Sequence, residues 1–145
     1  MTTTKKRLVL DTNTLISAFQ NETSSSASFF KQVKYTHELL VSDETLLELT
    51  KVIFRPYFDK KFAGKDSKRE ELLAEYVCIS ESIPVSIVVT DCRDPKDNKF
   101  LSLALSGDAD FIISGDKDLT VLNPYHGVRI LTMREYAAEN GMILN

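Results

Sequence analysis

Apolar residues in this chain fall into short blocks that alternate with stretches of helical spacing, and that alternation predicts the architecture before any chemistry is considered. Leu8, Val9 and Leu10 form a continuous run, as expected of a strand covered on both faces, and the Asp11-Thr12-Asn13-Thr14 that follows suits a turn into a helix. Phe29, Phe30 and Val33 mark a second helix, with Ser24, Ser25, Ser26 and Ser28 as loop and capping residues ahead of it. Leu39 to Val41 reads as a second strand, and Ser42-Asp43 opens a helix whose Leu46, Leu49, Val52 and Ile53 share one side. That helix should end at Arg55-Pro56, because the residue before a proline is driven out of helical dihedrals.

The second half continues in the same way. A helix is expected over residues 67–79, and residues 84–89, rich in β-branched side chains, read as a third strand. Asp94-Pro95 starts a helix with Asp94 at its N-cap and Phe100, Leu101, Leu103, Ala104 and Leu105 on its apolar side, ended by Gly107. Phe111 to Ile113 is a fourth strand and Val128 to Leu131 a fifth, the latter feeding a terminal helix capped by Thr132 with Glu135 three positions on. Strands alternating with helices call for an α/β fold with a mainly parallel sheet of four to five strands and helices on both faces.

The 145 residues fit one domain spanning 1–145, with 43% apolar side chains to fill its core. The polar start and the interruption of the first apolar run by Asp11 leave no signal peptide or membrane span, so no membrane partner is expected. Two cysteines, Cys78 and Cys92, without CxxC spacing suit a reducing compartment, and the cytoplasm is the expected location. Eighteen Lys and Arg against 21 Asp and Glu give a net charge of −3, which excludes a protein that grips nucleic acid with its whole surface. The charges are unevenly placed, however. Between Lys51 and Arg69 seven basic residues face two acidic ones, a local charge of +5.

In open parallel sheets ligands bind beyond the carboxyl ends of the strands, and here the polar residues at those ends are mostly acids. Asp11 follows the first strand, Glu48 lies in the helix after the second, Asp97 sits in the first turn after Asp94-Pro95, and Asp116 and Asp118 follow the fourth strand. Each has an ordinary structural role open to it: Asp94 and Asp97 at a helix start, Glu48 on a solvated helix face, Asp116 and Asp118 in a turn. If they converge, their mutual repulsion calls for a cation. Acids without a ligating Cys or His favour Mg²⁺ or Mn²⁺ over Zn²⁺. Such ions activate water and stabilise a phosphoryl group under in-line attack, so the chemistry suggested is phosphodiester hydrolysis.

Four segments then take on a collective meaning: residues 9–18 around Asp11-Thr12-Asn13, the Leu46-to-Arg55 helix carrying Glu48, residues 94–104 opening Asp94-Pro95-Lys96-Asp97-Asn98, and residues 109–119 with Ser114-Gly115-Asp116-Lys117-Asp118. Together they resemble a PIN domain, and more narrowly the PIN family of toxin components in prokaryotic toxin–antitoxin systems. The resemblance implies a three-layer α/β/α sandwich and an Mg²⁺- or Mn²⁺-dependent endoribonuclease. It makes Asp11, Glu48, Asp97 and Asp116 the catalytic acids and metal ligands, with Asp118 a further metal-site neighbour and Asn13 and Ser114 supporting the pocket. Glu48 would hold or deprotonate the attacking water. It further implies an RNA substrate, a small cognate antitoxin protein and a homodimer.

The basic stretch supplies candidate phosphate contacts in Lys51, Arg55, Lys60, Lys61 and Lys65, against the alternative that these lysines form a solvated face. Three other functions stay open. One is a PIN-type RNA-processing nuclease, and another is a non-catalytic module that binds RNA or a partner. The third is a phosphatase of the haloacid-dehalogenase type, whose DxDxT motif Asp11-Thr12-Asn13-Thr14 approximates, but Asn13 cannot serve as the acid and base which that mechanism places there.

Overall fold

The computed structural model describes residues 4–62 and 66–145. Its five-stranded sheet is parallel throughout and ordered β3-β2-β1-β4-β5, with β1 Arg7–Leu10, β2 Glu38–Val41, β3 Ser80–Ser82, β4 Phe111–Ile113 and β5 Arg129–Leu131. The helices are α1 Thr12–Gln20, α2 Ser25–Val33, α3 Asp43–Ile53, α4 Asp66–Ile79, α5 Asn98–Ser106, α6 Lys117–Thr120 and α7 Met133–Glu139. No helix among the described residues is long and apolar enough to cross a membrane.

The strand pleat divides the core in two. Leu8, Leu10, Leu39, Val41, Ile113 and Leu131 pack on one face with Phe19 of α1, Phe29 and Phe30 of α2, Ile53 of α3, Tyr76 of α4 and Tyr136 of α7. Val9, Leu40, Ile112 and Ile130 face the other way, against Phe100, Leu101 and Leu103 of α5 and Leu119 of α6. Each such side chain stabilises the fold by roughly 1.5–3 kcal/mol on burial, which is why runs apolar at every position become strands covered on both sides. The result is the expected α/β/α sandwich.

Most helix starts follow from side-chain capping. Asp11, Ser24, Ser42 and Thr132 each accept a backbone N–H three residues on, and at Ser42 and Thr132 the third residue, Thr45 or Glu135, bonds back. α3 ends at Ile53 with Phe54 as its C-cap, just ahead of the expected exit at Arg55-Pro56, and residues 56–58 form a single 3₁₀ turn.

The expected third strand is in the wrong place. Residues 84–89 form no regular element and lie outside the sheet, and the third strand is the polar segment Ser80–Ser82 at its edge. Pro84 offers no N–H to a ladder, and beyond it the N–H groups of Ser86 and Ile87 donate to Ser106 Oγ and that of Val89 to Ser102 Oγ, both on α5. These residues are tied to α5 instead of pairing with β2.

Gly107, after α5, has an ordinary negative φ, and its neighbour Asp108 is the residue in the left-handed region at φ 51°. Glycine is needed at 107 for close packing, because a Cβ there would lie 2.9 Å from Leu40 Cδ1 and 3.1 Å from Ile83 Cγ1. Gly107→Ala should therefore destabilise the protein by about 1–3 kcal/mol, read as a lower urea midpoint at unchanged slope.

Candidate active site

Chain connections diverge on either side of β1, so the crevice opens above the carboxyl ends of β1 and β4. Leu10 is registered with Ile113, and the next residues on each strand, Asp11 and Ser114, emerge side by side. Ser114 is fully buried, and its hydroxyl donates to Asp11 Oδ2 while accepting the N–H of Asp116 at 3.0 Å. Asp11 Oδ1 accepts the N–H of Thr14 at 2.8 Å. Burial raises the Asp11 carboxyl above its ordinary range against these donors, and the nearby Asp116 pushes the same way.

Three other acids reach the same place from separate units. Glu48 on α3 takes hydrogen bonds from the Thr12 hydroxyl and from Lys99 Nζ, the latter at 2.8 Å. Asp97 closes the 3₁₀ turn ahead of α5, and Asp116 caps α6 by accepting the N–H of Asp118. Asp11, Thr12, Asn13, Glu48, Arg55, Asp97 and Asp116 line one cleft of about 150 Å³. All four acids of the expected quartet, with Asn13, thus share one cavity, and Ser114 lies beneath it.

Asp97 is the pivotal member. Burial, a hydrogen bond shared with Asp116, and the charges of Asp116, Asp94 and Glu48 push its carboxyl up to about 7. Its Oδ2 is buried with no hydrogen-bond partner. Carboxyl oxygens of Asp94, Asp97 and Asp118 also lie within 4.8 Å of one another, so Asp97 belongs both to this trio and to the cleft. An all-oxygen donor set with an unpartnered buried oxygen fits a hard divalent cation. Asp94 has two roles: its Oδ1 caps the turn through the N–H of Lys96 at 3.1 Å, and it flanks Asp97. Asp118 is gripped by Arg93, whose Nε and Nη2 donate to its two oxygens at 2.7 Å each and hold its carboxyl below the usual range.

A groove of about 390 Å³ adjoins the cleft and shares Glu48, Val52 and Arg55 with it. Lys51, Arg55, Lys96 and Lys99 line this groove. The basic stretch is therefore split by the fold. Lys51 and Arg55 face the site, whereas Lys60 and Lys61 are exposed and line neither cavity, and Lys65 lies outside the described residues. Lys68 points to Glu22 at 3.8 Å, and Arg69 is an interior residue that donates to Ile53 O and Asp59 and lies over the Phe54 and Phe62 rings.

Sequence reasoning missed Thr12, Lys99, Lys96 and Asn98, whose Oδ1 accepts the N–H of Cys92 and pins the loop before Asp97. Thr12 stood beside Asp11 in a motif already singled out. Nothing in local sequence distinguishes Lys99 from a solvated lysine.

The raised Asp97 carboxyl has a consequence for stability. Without a divalent cation, native Asp97 keeps a proton that the unfolded chain, with its ordinary value near 3.8, has released. The Asp97 contribution to stability should therefore fall as pH rises between those values and be exhausted above about 7. Urea midpoints in EDTA at about pH 5 and about pH 7.5 should show this, and Asp97→Asn should reduce the slope, what remains having the same sign from the raised Asp11 carboxyl.

A model of the PIN domain matches residues 7–118. The chain is also 32% identical over 124 residues to uncharacterized protein MJ1680 of Methanocaldococcus jannaschii, an alignment covering 81% of this chain and 76% of the relative. With its five-stranded parallel sheet and its acids gathered at the switch point, this chain belongs to the PIN domain family.

Proposed function

We propose that this protein is an endoribonuclease that hydrolyses RNA phosphodiester bonds with Mg²⁺ or Mn²⁺. PIN domains are generally nucleases, and the observation that carries the finer reading is the convergence of Asp11, Glu48, Asp97 and Asp116 on one cleft, with Asp97 Oδ2 left unpartnered. Asp11, Asp97 and Asp116 would hold the cation. When bound, it polarises a phosphoryl oxygen and lowers the pKa of water. Ser114 ties the Asp11 carboxylate to the Asp116 backbone, which supports a shared role for those two residues. Glu48 receives one donor on each oxygen, from Thr12 and Lys99, and its remaining lone pairs are free to orient the attacking water and accept its proton. Lys51, Arg55 and Lys96 offset the repulsion a phosphate chain would meet on approaching four acids.

The toxin reading follows from the family resemblance: a small antitoxin would silence the cleft by setting an Arg or Lys among the carboxylates in place of the cation. In the RNA-processing alternative the same chemistry runs without that partner. A homodimer belongs to the toxin reading. A short neighbouring gene for a DNA-binding protein with a polar tail would favour it.

Purified protein with Mn²⁺ should cleave single-stranded RNA, and Asp11→Asn and Asp97→Asn should each abolish cleavage while remaining folded. Wild-type rates in Asp97→Asn would sink the proposed site. Mn²⁺ should also raise the melting temperature of the wild type more than that of Asp11→Asn, because an ion that binds only the folded state stabilises it by mass action. Lys51→Ala and Lys96→Ala should each weaken RNA binding regardless of base sequence, and flatten the dependence of log affinity on log salt by about 0.7 per lost phosphate contact.

A further inference from the structure

Arg93 makes a two-point contact with Asp118 that the fold does not need for stability. Its side chain is 79% exposed, and an ion pair so open to water contributes little to folding. Yet its place is closely determined. Cys92, immediately before it, is buried, with its N–H held by Asn98 Oδ1 at 2.8 Å and its Sγ donating to the carbonyl of Asp118 at 3.4 Å. The residue after it, Asp94, is the N-cap of the turn that presents Asp97. Backbone anchors on both sides and a two-point grip at the tip thus fix a cation at the lip of the acidic trio.

A guanidinium has five N–H donors in one plane, and the two spent on Asp118 leave three. Asp118 carries a carboxyl oxygen within 4.8 Å of the Asp97 and Asp94 oxygens, so those three donors sit one carboxylate away from the group that would hold the ion. Non-bridging phosphate oxygens accept such donors, and the planar fork matches them better than a lysine does. Lys99 is bound to Glu48, and Lys51, Arg55 and Lys96 line the groove beside it. Arg93, which does not line that groove, would supply a cation beside Asp118.

We infer that Arg93 binds a phosphate of the RNA backbone next to the scissile bond, and that Asp118 is its positioning residue, acting through the guanidinium and not as a ligand of the ion. This rests on the ribonuclease reading above and assigns to Asp118 a role different from that implied by the family resemblance.

Two measurements decide it. In an Asp11→Asn background, binding of a mixed-sequence single-stranded RNA oligonucleotide is compared with and without Arg93→Ala, Arg93→Lys and Asp118→Ala. Arg93→Ala should weaken binding by about tenfold and flatten the salt dependence by about 0.7. Arg93→Lys should not restore the affinity, and Asp118→Ala should add nothing once Arg93 is gone. Separately, the Mn²⁺ concentration that half-maximally raises the melting temperature should be unchanged by Arg93→Ala and Asp118→Ala and increased by Asp97→Asn. RNA affinity untouched by Arg93→Ala, or a Mn²⁺ requirement that rises in Asp118→Ala as it does in Asp97→Asn, would overturn the assignment. Cleavage by the wild-type protein is scored independently: its absence defeats the ribonuclease reading, and the two binding measurements still judge Arg93 and Asp118.

Discussion

A carboxylate at the end of the central strand, almost wholly buried and tied to a serine on the neighbouring strand, governs the arrangement of this molecule. Asp11 is buried where β1 ends, and burying a charge is tolerable only if donors or a cation surround it. The Ser114 hydroxyl and the Thr14 N–H supply donors, and through them Asp11 starts α1, joins β1 to β4 and sets the position of Asp116. The parallel register makes this possible, because Leu10 opposite Ile113 delivers Asp11 and Ser114 to the same height.

Around that anchor the charges form an ordered field. Acids occupy the floor of the cleft, and cations stand around it: Lys99 on Glu48, Arg93 on Asp118, and Arg55, Lys51 and Lys96 along the groove. A net charge of −3 therefore describes neither part of the surface that a phosphate chain would meet. Of the two outer ion pairs, Lys99 with Glu48 is the more enclosed and Arg93 with Asp118 the more open, so water screens the second far more than the first.

The layers, the parallel sheet and the acids at the strand ends were legible because each depends on local pattern. Apolar runs such as Leu8 to Leu10 suit strands covered on both faces, and the cap residues Asp11, Ser42 and Thr132 announce their helices. What was not legible depends on tertiary context. Ser80–Ser82 is a strand because β2 has a free edge beside it, and no side-chain pattern encodes that. The four-residue α6 is too short to carry a period. Arg69 looked like its basic neighbours, yet it goes inside because Asp59, Ile53 O and two aromatic rings meet its guanidinium there. The charge run was visible, but which of its members turn toward the cleft is decided by where α3 ends.

Ser102 and Ser106 have an effect beyond holding a segment in place. Residues 84–89 contain the most strand-prone stretch of the chain outside the sheet, with Val85, Ile87 and Val88 exposed to solvent. An apolar segment with open N–H groups invites edge-to-edge pairing with another chain. By occupying the N–H groups of Ser86, Ile87 and Val89, and with Pro84 offering none, two small hydroxyls on α5 leave a stray strand fewer of the hydrogen bonds it would need. The molecule carries its own guard against aggregation at its most adhesive stretch.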